Sequence, residues 1–159
     1  MTASVSVQQV DELPQALEPL IADSVREGFG FLERLREDWA SGANRFDKAG
    51  EAFFVGQVAR ELAGVCGLNR DPYSGDPSIG RLRRLYVSPG LRRRGVARCL
   101  VARALSLARE HYAAVRIRTD NPSAALFYEA LGFIPTTSPQ ATHELRVSGG
   151  DRLPTRRCS

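Results

Sequence analysis

Lysine is almost missing from this chain. Lys48 is the only one among 22 basic residues, so the formal charge of +4 rests on arginine. A basic tail for nucleic acid more often mixes the two along a run. Cysteine is scarce too: Cys66, Cys99 and Cys158 make neither an even framework nor a C-x-x-C pair, which speaks against a disulfide scaffold and a thiol redox motif. His111 and His143 are the only histidines, too few and too far apart for a metal site, so none is expected. No apolar run approaches the roughly eighteen residues of a membrane helix. Met1 to Val10 lacks a basic start followed by an apolar stretch, so no signal peptide is read there. A cytoplasmic protein that binds neither membrane nor nucleic acid is the expectation.

What remains is ordinary globular material. Hydrophobic residues make up 43% and charged residues 25% of 159 residues, enough for one domain with a core. Residues 1–147 are read as that domain and the polar segment 148–159 as a tail. Val5–Val10 alternates as a strand. Asp11–Glu27 carries apolar residues at helical spacing despite Pro14 and Pro19, and a second amphipathic helix starts at Phe31 and ends at Ser41-Gly42. Ala52–Val58 and Glu61–Leu68, joined through Ala59-Arg60, form a hairpin. Ile79–Val87 is a further strand. The clearest helix is Val96–Tyr112, with Val96, Leu100, Val101, Ala104, Leu105 and Ala108 on one face. A strand at Ala114–Thr119, a helix at Ser123–Leu131 stopped by Gly132, and a strand at Ala141–Val147 complete the chain. The order β-α-α-β-β-β-α-β-α-β predicts an α/β (α+β) fold whose mixed, mostly antiparallel central sheet is flanked by helices.

Seven arginines, Arg81, Arg83, Arg84, Arg92, Arg93, Arg94 and Arg98, fall in one stretch. The last four surround a strand-to-helix turn that opens a long helix at Gly95-Val96-Ala97. The first turn of a helix presents unpaired backbone N–H groups with partial positive charge, a ready site for an anion. Gly95 and Ala97 leave the backbone approachable, and guanidinium forks suit phosphate oxygens. Neither G-x-G-x-x-G nor the Walker pattern is present, so nucleotide hydrolysis is not indicated.

Arg92-x-x-Gly95-x-Ala97, after the strand Leu82-Arg83-Arg84-Leu85-Tyr86-Val87, resembles the [QR]-x-x-G-x-[GA] signature of the GCN5-related N-acetyltransferases. The block Asn121-Pro122-Ser123-Ala124-Ala125-Leu126-Phe127-Tyr128-Glu129-Ala130-Leu131-Gly132-Phe133 is similar to the second half of that family's domain, and lies at the expected distance. The resemblance runs from about Phe53 to Phe133. It implies a GNAT-like fold and transfer of an acetyl group from acetyl-coenzyme A to a primary amine by direct attack in a ternary complex. A non-catalytic acyl-coenzyme A sensor on the same fold is the alternative. Homodimers are common in the family, which leaves that assembly open here.

The same resemblance implies the site residues. Arg92, Arg93, Arg94, Gly95, Val96, Ala97 and Arg98 would cradle the pyrophosphate. Leu85, Tyr86 and Val87 would offer backbone groups to the pantetheine arm between splayed strands. Asn121 and Ala124 would line the arm, and Asn121 is equally a helix N-cap. Tyr128 would donate a proton to the departing sulfur, and a phenol, titrating near ~10, is protonated at neutral pH. The chain departs from the pattern at Arg81, where several members carry a glutamate base. Glu33, Glu37, Asp71 and Asp76 are the other acids in view. Arg81 and Arg83, read by strict alternation on the same side as Leu85, either bind a carboxylate or phosphate of the acceptor or are surface arginines. Phe29, Phe31 and Trp39 either wall the acceptor pocket or anchor the helices.

Overall fold

The computed structural model describes residues 4–147, so the segment read as a tail lies outside the described residues. Strand β1 (Val5–Val10) leads to helices α1 (Leu17–Arg26) and α2 (Phe31–Ser41). Strands β2 (Ala52–Val58), β3 (Glu61–Arg70) and β4 (Ile79–Val87) follow, then helix α3 (Val96–His111), strand β5 (Ala114–Ile117), helix α4 (Pro122–Ala130) and strands β6 (Ile134–Pro135) and β7 (His143–Arg146). The sheet runs β1-β2-β3-β4-β5-β7-β6. Among the described residues only β4 and β5 pair in parallel, with α3 making the crossover that a parallel pair requires.

Two apolar layers enclose this sheet. On one face α3 packs Leu100, Val101, Ala104 and Leu105 against Phe54, Cys66, Leu82 and Val115. On the other, Leu20 and Ile21 of α1 and Leu32 and Leu35 of α2 cover Phe53, Val55, Val65 and Tyr86. Strand β2 therefore serves both layers through adjacent phenylalanines, which explains its near-continuous apolar run. Trp39 packs edge-on to Phe53 at 5.5 Å and beside Phe46, so it anchors α2 to the sheet.

Local differences from the sequence expectations have simple causes. The first helix starts at Leu17 rather than Asp11, because Pro14 sits in the preceding turn, whose carbonyl accepts from Leu17 N at 3.0 Å. Pro19 then falls in the first turn, where its missing N–H is not needed. Strand β6 escapes pattern reading, being two residues long and ending in proline at the sheet edge, a position that tolerates proline. Among the described residues no helix is long and apolar enough to cross a membrane, and no group of three His, Cys, Asp or Glu could hold a metal ion.

Candidate active site

Strands β4 and β5 pair over only three positions, ending at Arg81 opposite Arg116. Strand β4 runs on to Val87 while β5 stops at Ile117, so among the described residues Leu82–Val87 has no strand partner on that side. A cleft of about 1100 Å³ opens where the strands part. It is lined by both strands, by the turn before α3, by the start and inner face of α4, and by Phe29, Phe31 and Arg34 from the α1–α2 side. Leu85, Tyr86 and Val87 all border it.

A bulge shapes β4 at this point. Tyr86 pairs with Val65 and Arg83 with Gly67, so Arg84 and Leu85 together stand opposite Cys66. Arg84 has φ 61°, a left-handed conformation unusual outside glycine. The extra residue reverses side-chain alternation. Leu82, Leu85 and Val87 face the α3 layer, whereas Tyr86 faces the α1–α2 layer. Arg83 shares that second face, since its cross-strand partner Gly67 looks onto Phe46. Arg81 and Arg83 thus lie opposite Leu85, not beside it, because strict alternation fails at a bulge.

The turn before α3 has the form of an anion cradle. Arg93 has φ 65° and Gly95 φ 81°, and Gly95 caps α3 with no side chain bonded to the first-turn amides. Space around the Gly95 Cα is open. Arg93, Gly95, Val96, Ala97 and Arg98 line the cleft, while Arg94 is outside its lining. Arg92 borders the cleft but is engaged elsewhere. Its Nη1 and Nη2 donate to the two Glu27 carboxylate oxygens at 2.9 and 2.5 Å, and its Nε donates to Val87 O at 3.1 Å. The Tyr86 hydroxyl donates to the same carboxylate at 2.5 Å. The Arg92 hydrogen bonds, then that of Tyr86, hold the Glu27 carboxyl below its usual range. Burial first, then Glu27, push the Tyr86 phenol up. Arg92 thereby ties the loop to α1 and β4. The sequence held one faint sign of this: Glu27 is an acid at a helix C-terminus, where the helix dipole disfavours it.

Helix α4 brings Tyr128 to the cleft. Asn121 caps this helix, its Oδ1 accepting from Ser123 N at 2.9 Å and Ala124 N at 3.4 Å. Asn121, Ala124 and Tyr128 all line the cleft. The Tyr128 ring packs edge-on to Phe127 at 5.2 Å and Phe133 at 5.4 Å and is 7% exposed. Its hydroxyl has no hydrogen-bond partner among the described residues. Burial pushes its pKa up, with nearby Cys66 adding to the effect, so it stays protonated. Cys66 is itself buried, and its thiol is pushed up to about 12, which leaves it neutral and inert.

The remaining wall is basic. Arg81 is buried against Asp71, with Nη1 3.6 Å from Oδ1 and side-chain exposures of 7% and 1%, and its guanidinium lies 4.8 Å from the Tyr73 ring centre. Arg84 pairs with Asp38 of α2 at 3.6 Å. Phe29 and Phe31 meet Tyr86 edge-on and line the cleft, so they are walls as well as anchors. Glu33, Glu37, Asp71 and Asp76 do not line it; among the described residues Asp120 is the only carboxylate that does.

Comparison with known proteins places the fold. The chain matches the Acetyltransferase (GNAT) family over residues 15–133, and it belongs to that family. Members use acetyl-coenzyme A as cosubstrate. A search of curated proteins found no match. Among solved structures, a protein of Exiguobacterium sp. 255-15 assigned to the acetyltransferases is 28% identical, with TM-score 0.80 over 90% of this chain and 93% of its own. The Escherichia coli GNAT protein YhbS, solved with coenzyme A, is 18% identical with TM-score 0.67 over 93% and 84%. The yncA protein of Salmonella typhimurium, solved with acetyl-coenzyme A, is 14% identical with TM-score 0.67 over 96% and 99%. At such identities the last two speak for the fold.

Proposed function

We propose that this protein is an acetyl-coenzyme A-dependent N-acetyltransferase that acylates a primary amine by direct attack in a ternary complex. The observation that carries the reading is Tyr128: a buried, protonated phenol with no hydrogen-bond partner among the described residues, lining the cleft where β4 leaves β5. The uncapped start of α3, with Arg93 and Arg98 beside it, suits the pyrophosphate. The open edge of β4 from Leu82 to Val87 offers backbone groups to the pantetheine arm. Asn121 and Ala124 border the same channel.

The amine gives up its proton to water and attacks the thioester carbonyl. A nitrogen–carbon bond forms, and the collapse of the adduct breaks the carbon–sulfur bond. Tyr128 protonates the departing sulfur and regains its proton from the nitrogen through water. No carboxylate from Arg81 to Val87 serves as base; positioning of the two substrates supplies most of the acceleration. The test is coenzyme A release over a panel of primary amines, followed by a thiol reagent, with mass detection of the acetylated product. Tight acetyl-coenzyme A binding with no transfer above background hydrolysis would instead make the protein a sensor.

A further inference from the structure

The cleft end on the α1–α2 side gathers guanidinium groups in excess of their partners. Arg34 of α2, Arg81, Arg83 and Arg84 of β4, and Arg118 after β5 all line it. Asp71 answers Arg81 and also lies 4.0 Å from Arg116. Asp38 answers Arg84. Arg118 donates to Pro139 O at 3.1 Å. The guanidinium groups of Arg83 and Arg34 have neither a hydrogen bond nor an ion pair among the described residues.

These cations act on one another. Arg84 has a side chain only 10% exposed and is pushed down to about 10, by burial first and then by the positive charges of Arg83 and Arg34. Burial first lowers Arg81 as well; Asp71 opposes the shift, and Arg83 adds to it. Like charges held together in a partly desolvated wall are costly without an anion. The bulge at Arg84 sets this arrangement, because it keeps Arg83 on the α2 side while Leu85 turns to the other.

We propose that the acceptor amine also carries an acidic oxyanion, a carboxylate or a phosphate, held by the guanidinium groups of Arg83 and Arg34. This rests on the acetyltransferase reading and names the acceptor class for that site. Arg81 has a different part: committed to Asp71, it holds the wall in place rather than gripping substrate. Phe31 and Tyr73, which also line this end, give the rest of a small acceptor an apolar surface.

The experiment compares matched acceptors on the full chain: amino acids against their amides, and aminoalkyl phosphates against the corresponding amino alcohols. The acid member of at least one pair is expected to have a roughly 10- to 100-fold higher kcat/KM, the scale of hydrogen bonds to charged groups. Whether the carboxylate or the phosphate pair responds identifies the oxyanion. Arg83→Met is expected to collapse that acid-to-neutral ratio, with the KM for acetyl-coenzyme A within about threefold of the parent. Arg83→Lys should restore it in part, since the charge returns but the fork does not. Equal use of acid and neutral members, or a ratio untouched by both Arg83→Met and Arg34→Met, overturns the proposal and leaves the acetyltransferase reading standing. If no amine is acetylated, that reading fails. Calorimetric binding of the same compounds to the coenzyme A-loaded protein then decides the proposal, by the presence or absence of an Arg83-dependent preference for the acids.

Discussion

Tyr128 and Asp71 are both buried, yet their burial has opposite uses. For Tyr128, desolvation raises the phenol pKa, so the proton is kept across the working range, as the proposed general acid requires. Tyr128→Phe keeps the ring packing against Phe127 and Phe133 and removes the proton. The expected result is a fall in kcat of about 10²- to 10⁴-fold, with the KM for acetyl-coenzyme A within about threefold, read by steady-state kinetics. Because the folded-state pKa is raised, the parent should show no falling limb from this group between about pH 7 and about pH 9.5. Asp71 has a structural part. Its carboxylate lies between Arg81 and Arg116, and Asp71→Ala would strand the Arg81 charge in the wall. A loss of about 3–5 kcal/mol is expected, measured by urea unfolding; a loss under about 1 kcal/mol would show that the pair is dispensable.

Two glycines show how the strands and the turn before α3 divide their duties. Gly95 needs its left-handed φ of 81° to start α3, and no atom lies within 4 Å of where a Cβ would stand. Gly95→Ala therefore meets backbone strain of about 1–2 kcal/mol and no clash. It should weaken acetyl-coenzyme A binding about tenfold by calorimetry, with only a comparable small loss of stability. Gly64 on β3 is the reverse. A Cβ there would lie 2.7 Å from Tyr86 O and 3.1 Å from Val87 Cγ2, against backbone that cannot move without shifting β4. Gly64→Ala should cost about 1–3 kcal/mol, as overpacked sites do, with the loss larger than for Gly95→Ala in the same unfolding measurement.

Across the molecule, the cleft lies between the two apolar layers, where the sheet parts, and is bordered by elements from both. A ligand that spans it would contact α3, α4 and β4 together and oppose their separation. Acetyl-coenzyme A at about 100 times its dissociation constant should add about 2.7 kcal/mol, a rise in Tm of roughly 5–10 °C for a chain of this size. Raising the salt should reduce the gain, because exposed arginines such as Arg93 act through screened charge. A calorimetric melt with and without the coenzyme, at two salt concentrations, checks both statements; an unchanged Tm would count against binding in the cleft.

Most of the elements, and the turn and helix that border the cleft, could be read along the chain. The 3.6-residue period of Val96–Ala108, the alternation of Val5–Val10 and the glycines at 42, 95 and 132 are local signals, and local backbone preferences produced those elements. The Arg92–Ala97 turn and the Asn121–Phe133 block were likewise legible, since each contact of a helix start or an N-cap lies within a few residues. The boundaries moved where prolines and edge positions override periodicity, at Leu17 and at Ile134-Pro135. What could not be read was set by residues distant in sequence. The bulge at Arg84 exists only against Cys66 of β3, and it turned Arg83 away from Leu85. Glu27 claims Arg92 across 65 positions, and Asp71 claims Arg81 from the neighbouring strand's end. Sequence patterns therefore identify the family and its acetyl-coenzyme A cosubstrate, because a strand-turn-helix signature is local. The basic wall of the cleft is decided by tertiary contacts, because which arginines remain uncompensated depends on which carboxylates the fold brings to them.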